Sequence, residues 1–99
     1  MKILVLPKAI EGVSREEMLQ HAPEEIHAVW ELYKQGICRE FYSRVDEQGR
    51  VVLVLESASA DAARDALATL PFVRLHLIDF DVIPLAPFAG LERMFHSMS

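Results

Sequence analysis

Apolar and polar positions in the first third of the chain predict a strand followed by a helix. A short apolar run from Ile3 to Leu6, closed by Pro7, predicts a strand at residues 2–7. Ser14 stands three residues before Glu17, the spacing of a capping box, so a helix should begin there and end at Gly36. Pro23 should kink or restart this helix. Its buried stripe is expected to comprise Met18, Leu19, Ala22, Ile26, Val29, Trp30 and Tyr33.

The rest of the chain predicts three more strands and one more helix. Period-two alternation marks the next strand, and Asp46 to Gly49 supply the turn of a hairpin. Ser57 and Ser59 are both candidate caps for the Ala-rich helix. In order, the predicted elements are a strand at 37–45, a strand at 51–55, a helix from about 60 to 70, a strand at 73–83 and a C-terminal arm at 84–99.

The order strand, helix, strand, strand, helix, strand predicts a ferredoxin-like α+β domain. In this βαββαβ fold a four-stranded antiparallel sheet carries both helices on one face, so residues 1–99 should form a single domain. The third and fourth predicted strands are apolar at both parities; in the third, Val52 and Val54 face away from Leu53 and Leu55. A sheet with two apolar faces needs cover on both sides. We therefore expect a homodimer, or a multiple of one, with sheet packed on sheet and the arm reaching the partner.

Composition narrows the classes of function. Ninety-nine residues with a net charge of −5 leave no basic surface for nucleic acid or anionic lipid. No apolar stretch approaches the roughly 20 residues of a membrane span, and the opening apolar run is too short for a secretory signal. One cysteine forms no intrachain disulfide and, with no Cys/His cluster, predicts no metal site. We expect a cytoplasmic protein that uses neither metal nor cofactor.

Several segments of the sequence resemble one known family. They are residues 30–36, 39–42, 53–59, 68–71 and 78–87. Together they resemble the muconolactone-isomerase-like group of the dimeric α/β-barrel superfamily. The resemblance implies a cofactor-independent isomerase that shifts the double bond of a small unsaturated lactone carboxylate in aromatic compound catabolism. The characteristic His-Pro of the isomerase near the C-terminus appears here as Ala86-Pro87.

Moving a proton between carbons beside a carbonyl requires an acid/base group that titrates near neutrality. His27, on the flank of the first helix, and His76, among apolar residues of the fourth predicted strand, are the catalytic candidates, together with Glu56. The alternatives are a solvated helix-flank histidine for His27 and a hydrogen-bonded core or interface histidine for His76. If Val45 pairs with Arg50 in the hairpin, Glu56 lies opposite Arg39, and the two form either a structural ion pair or part of a carboxylate site.

The substrate-binding candidates are cationic and aromatic. Arg39 and Arg44 are candidate holders of a substrate carboxylate, and Tyr42 beside Arg44 suits an anionic, partly aromatic ligand. Either of the latter pair equally suits a dimer rim. Trp30 is a candidate ligand platform, although its helical spacing also fits a core position.

Three functions therefore stay open. The first is the isomerase on a small organic acid or lactone; the second is a cofactor-free oxygenase or cyclase of the same superfamily acting on a larger ring system. The third is a non-catalytic dimer that binds a small ligand. A titratable group and a carboxylate facing one pocket would favour catalysis, whereas a purely apolar cleft with one arginine would favour binding alone.

Overall fold

A computed structural model describes residues 1–97 of the chain, with side chains as far as residue 95. The described residues form four strands and four helices. They are β1 (Lys2–Ala9), α1 (Arg15–Lys34), β2 (Cys38–Ser43), β3 (Val51–Glu56), α2 (Ala60–Leu67), α3 (Pro71–Arg74), β4 (Ile78–Leu85) and α4 (Ala89–Ser97). The last two residues of the predicted arm lie outside the described residues.

The strands form one antiparallel sheet in the order β2-β3-β1-β4, which confirms the predicted ferredoxin-like fold. One face of the sheet carries α1 and α2. The core between them consists of Ile3, Val5, Leu53 and Leu55 from the sheet, Leu32 from α1, Ala63 and Leu67 from α2, and Cys38 and Leu70 nearby. Packing in this core holds α1 and α2 against the sheet.

Both predicted ends of α1 are confirmed. The Ser14 hydroxyl accepts a hydrogen bond from the Glu17 backbone N–H at 3.1 Å. At the other end, Gly36 adopts a φ of +78°, and the Ile37 N–H bonds back to the Leu32 carbonyl, as in a Schellman motif. Of the two effects predicted for Pro23, the restart is wrong, because one helix runs through it; the kink stays a prediction. Pro23 lies on the exposed side of α1, where water can satisfy the carbonyl left without a donor.

The predicted buried stripe of α1 is largely wrong. Leu19, Ile26, Trp30 and Tyr33 are all exposed, and the residues of α1 that are buried are Leu32 and, unexpectedly, Glu25. Much of the length of α1, from Leu19 to Tyr33, thus presents apolar side chains to open space instead of to a packed core.

The predicted fourth strand begins too early. Residues 71–74 form the short helix α3, which starts at Pro71, and the strand begins only at Ile78. Proline suits the first position of a helix because it has no N–H to leave unpaired. The segment between α3 and β4 is apolar because Leu77, which lies in the turn itself, is buried. His76 therefore lies in that turn, with a φ of +56°, and not on a strand as predicted.

The open face of the sheet, which α1 and α2 do not cover, is apolar in its middle as predicted. Along the edge strand β4 it carries charged residues, which differs from the prediction. Pairing places Leu4 between Val54 and Ile83, with Leu53 and Leu55 on the opposite, buried face. The double apolar character of β3 is thus confirmed. On β4, however, Asp79 and Asp81 share the open face, and Lys8 bonds Asp81 at 3.0 Å. Charged residues consequently border an apolar centre.

The arm begins later than predicted, because Pro84 and Leu85 still belong to β4. Its helix α4 extends from the body, which measures 59 × 29 × 20 Å with the arm included. Among the described residues, no helix has the length and apolar character required to cross a bilayer.

Candidate functional site

A cleft of about 710 Å³ lies between α1, along residues 15–30, and the sheet, near the β2–β3 turn. Its volume falls within the roughly 300–1,000 Å³ of small-molecule sites. The apolar side chains around it include Leu19, Ile26, Trp30, Phe41, Leu53 and Phe80. Residues with polar side chains along it include Arg15, Glu25, Ser43, Gln48 and Arg50. An apolar cleft with few polar groups suits a small organic molecule that carries one charged group.

Glu25 is the buried acid of this cleft, at 9% exposure. Its Oε1 accepts a hydrogen bond from the backbone N–H of Phe72, in the first turn of α3, at 3.0 Å. Burial raises the pKa of Glu25, since a low-dielectric environment disfavours the carboxylate; the Phe72 N–H and the positive charge of Arg74 partly oppose this. A carboxyl group with a raised pKa can both accept and return a proton under mild conditions.

Arg50 supplies positive charge to the cleft wall. Its side chain is only 19% exposed, and its Nε lies 3.5 Å from Glu47 Oε1. Arg44 holds the same turn from outside, with two hydrogen bonds to Asp46 and an ion pair to Glu47 at 3.0 Å. The turn is thus fixed largely by Arg44, while the guanidinium of Arg50 retains donors for an anion in the cleft.

An aromatic cluster borders the other side of the cleft. Trp30 stacks on Tyr33 with ring centroids 5.2 Å apart, and Tyr33 meets Phe41 edge-on at 5.9 Å. Trp30 and Phe41 both line the cleft. Flat apolar surfaces of this kind suit a ring-shaped ligand.

Two of the predicted site residues, Trp30 and Tyr42, lie along the cleft, but Tyr42 pairs with Val52, so its side chain shares the open face of the sheet with Val54. The Tyr42 hydroxyl donates to Glu40 Oε1 at 2.7 Å, and this hydrogen bond raises the pKa of the phenol. Tyr42 is thereby held in its neutral form. The predicted roles of both residues in substrate binding stay predictions.

The predicted histidines do not line the cleft. His27 is 75% exposed on the outer side of α1, where its Nε2 lies 3.8 Å from Glu31. His76 is exposed in the turn before β4. Their predicted catalytic roles stay predictions, and the experiments below test them.

The predicted opposition of Arg39 and Glu56 is wrong. The hairpin pairs Ser43 with Val51 and so places Arg44, not Val45, opposite Arg50. A bulge between Cys38 and Glu40 then leaves Arg39 outside the pairing altogether. Glu56 instead bonds the N-terminal ammonium of Met1 at 2.7 Å, which lowers the pKa of its carboxyl. Arg39 and Glu56 do not line the cleft, nor does Arg44, which is engaged by the turn.

The sequence contains a signal for Glu25. Met18, Ala22, Val29 and Leu32 recur at helical spacing, and Glu25 completes that series as a charged residue on the same face. Charged residues are almost never buried unless they are paired or functional, so this interruption points to a site. Arg50 has no comparable signal, because its burial depends on how the hairpin closes.

Cys38 is buried, and burial raises the pKa of its thiol, which favours packing over reactivity. Among the described residues, no three histidine, cysteine, aspartate or glutamate side chains group as a metal ion requires.

Fold and cleft together define a class: a ferredoxin-like α+β domain with a ligand-sized cleft between its first helix and its sheet. Among solved structures, the chain is similar to 5-chloro-2-hydroxyhydroquinone dehydrochlorinase from Burkholderia phenoliruptrix, in complex with 2,5-dihydroxybenzoquinone. The TM-score is 0.71 at 14% sequence identity, over 91% of this chain and 98% of that chain. The sequence matches no protein-family model and no curated protein. The likeness confirms the fold and leaves the isomerase family a prediction.

Proposed function

We propose that this cleft belongs to a cofactor-independent enzyme that moves a proton on a small unsaturated lactone or ring-derived carboxylate, as a muconolactone isomerase does. The observation that carries the proposal is Glu25, a buried carboxyl group with a raised pKa in an apolar, ligand-sized cleft. Apolar surroundings bring a carboxyl group toward the acid/base range that proton transfer at neutral pH requires.

In this mechanism the Glu25 carboxylate removes a proton from the carbon next to the substrate carbonyl. The electron pair of the broken C–H bond moves into a conjugated enolate, and the protonated Glu25 returns the proton to a different carbon. The double bond shifts, while atoms and charge balance without an added reagent. Arg50 holds the substrate carboxylate, and Trp30 and Phe41 hold its ring.

The proposal includes a homodimer, or a multiple of one, formed through the open sheet face. Leu4, Val54 and Ile83 supply an apolar centre, and the ion pair of Lys8 with Asp81 lies at its border. A cytoplasmic location belongs to the same proposal, since a lone buried Cys38 suits a reducing compartment.

Glu25→Gln tests the proposed base directly. The substitution keeps an acceptor for Phe72 and removes the titratable proton, so kcat/KM for a responsive lactone should fall by at least about a hundredfold. In the wild type, kcat/KM should rise as pH rises through the pKa of Glu25, above its ordinary value of 4.5, because only the carboxylate accepts a proton. The matched control is Glu24→Gln, on the exposed side of the same turn. Proton exchange of the substrate in deuterated water, followed by NMR, gives the readout.

The histidine predictions are decided in the same assay. If Glu25 is the base, His27→Gln and His76→Asn should retain activity close to the wild type, since neither histidine lines the cleft. Loss of activity in either variant, with Glu25→Gln still active, would transfer the proposed role to that histidine.

Arg50→Gln tests the anion holder. We expect KM for carboxylated substrates to rise about tenfold or more, the effect of losing roughly 1.5–3 kcal/mol of a charged hydrogen bond. Arg44→Gln is the matched control, because Arg44 bonds the turn outside the cleft. Equal effects in the two variants would remove Arg50 from the proposed site.

Elimination of HCl from a chlorinated hydroxyhydroquinone is a second candidate. The structurally similar dehydrochlorinase was solved with a dihydroxybenzoquinone, and loss of HCl also requires removal of a proton. The same Glu25 and aromatic wall fit such a ring. Chlorinated and unchlorinated hydroxyhydroquinones in the substrate panel, with chloride release as readout, distinguish it from isomerisation. A polycyclic quinol tests the oxygenase or cyclase alternative.

A further inference from the structure

The C-terminal arm carries an apolar face that its own chain leaves uncovered. Phe88, Leu91 and Phe95 recur at helical spacing along the arm, and the two phenylalanines are 74% and 72% exposed. The radius of gyration, 16.2 Å, exceeds the roughly 13 Å of a compact chain of this length, because α4 projects from the body.

The rim of the cleft is uncovered as well. We use this name for Leu19, Ile26, Trp30 and Phe41, which line the cleft and are each about half exposed or more. Single exposed apolar residues are ordinary, but a contiguous group bordering a cleft marks an interaction surface. The chain thus has two uncovered apolar surfaces, one convex and one concave.

The arm cannot cover the rim of its own chain at its start. It leaves from β4, the edge strand against which α2 packs, whereas Phe41 lies on β2, three strand spacings or about 14 Å across the sheet. Phe88 follows Leu85 by three residues and so lies within about 10 Å of it. A second copy has no such restriction.

We propose that α4 of a second copy of this chain lies across the rim and closes the cleft, so that each site is completed by its partner's arm. The area supports a stable pair. Two phenylalanines and a leucine contribute about 400 Å² per arm, so two arms on two rims bury about 1,600 Å², the size of a standard interface. The inference starts from the cleft of the proposed function, and its tests need no turnover.

Trp30 reports on the arm, since it is the single tryptophan of the chain and lies on the rim. In the assembled protein its emission should lie at short wavelength and resist acrylamide. Phe88→Ala with Phe95→Ala should shift the emission to longer wavelength and increase quenching. Val45→Ala, at a fully exposed position outside the cleft, is the control and should change neither. Far-ultraviolet circular dichroism shows whether the double variant stays folded.

Cross-linking identifies which chain supplies the arm. A tagged Ile26→Cys protein mixed with an untagged Phe95→Cys protein should form a disulfide-linked pair that the tag retains, whereas a Val45→Cys partner should not. The native Cys38 is buried and does not compete.

Three results would overturn the proposal. One is a monomer by light scattering across micromolar concentrations. Another is an oligomer whose Trp30 emission and quenching ignore the arm substitutions. The third is an Ile26→Cys, Phe95→Cys double variant that closes its disulfide within one chain. None of these results affects the outcome of the Glu25→Gln activity experiment. The arm proposal and the proposed chemistry are therefore tested independently.

Discussion

Burial of Glu25 should add a pH-dependent contribution to the stability of this protein that a single substitution removes. Because the folded state raises the pKa of this carboxyl, the folded protein keeps the proton over a pH range in which the unfolded chain has lost it. The contribution of Glu25 to the free energy of unfolding therefore falls as pH rises from the ordinary value of 4.5 to the folded pKa, and is flat above it. Glu25→Gln removes this loss and should be more stable than the wild type near neutral pH.

The structure also sets what the comparison variants should show. Glutamine keeps an acceptor for the Phe72 N–H, now 3.0 Å from Glu25 Oε1, so below about pH 3 it should match the wild type. Glu25→Leu removes the acceptor and should cost about 1–3 kcal/mol there. Above the folded pKa, each pH unit by which the folded and unfolded pKa values differ corresponds to about 1.4 kcal/mol between wild type and Glu25→Gln.

Urea unfolding at a series of pH values, followed by far-ultraviolet circular dichroism, measures these differences. Protein concentration must be constant, because association adds stability that depends on it. Glu24→Gln is the control for loss of one negative charge in an exposed position. Parallel pH profiles for wild type and Glu25→Gln would show that the Glu25 carboxyl titrates alike in both states, and the reasoning from burial would be refuted.

Three further outcomes follow from the backbone and core. Leu55→Ala removes a fully buried side chain and should lower the free energy of unfolding by about 2.5–5 kcal/mol, against less than about 0.5 kcal/mol for Val45→Ala, by urea titration. His76→Gly relieves a left-handed backbone, φ +56°, and should raise the melting temperature by an amount equivalent to about 1 kcal/mol; an unchanged or lower melting temperature would contradict backbone strain at this position. Ser59→Ala loses the 3.1 Å cap of α2 and should cost about 1 kcal/mol in the same titration, with no change if the cap is replaced by water.

The fold could be predicted from the sequence wherever neighbouring residues alone determine the local structure. Ser14 and Gly36 end α1 as predicted, because capping hydroxyls and left-handed glycines act within a few residues. The segment before Ile78 was misassigned, since a short apolar run fits a strand and a buried turn equally well. The bulge at Arg39 shifts one strand against its neighbour, and nothing in the local sequence marks it.

The candidate site could be predicted less well than the fold, for a different reason. In the sequence, the residue type that titrates near neutrality in water is histidine, and this property favours His27 and His76 as candidates for proton transfer. In the folded chain, burial raises the pKa of the Glu25 carboxyl, which is a property of the packing and not of the residue type. Tertiary structure likewise places Arg15 and Arg50, and not Arg39 or Arg44, in the lining of the cleft.

Stability and activity of one variant together separate catalysis from simple binding. The structural task of Glu25 is to accept a hydrogen bond from Phe72, and a glutamine performs it without the cost of a buried charge. A Glu25→Gln protein that is more stable and inactive shows that the charge serves chemistry alone. The variant could instead be more stable and bind lactones and quinones as tightly as the wild type, with neither protein turning them over. In that case the cleft is a binding site, and the isomerase hypothesis is wrong.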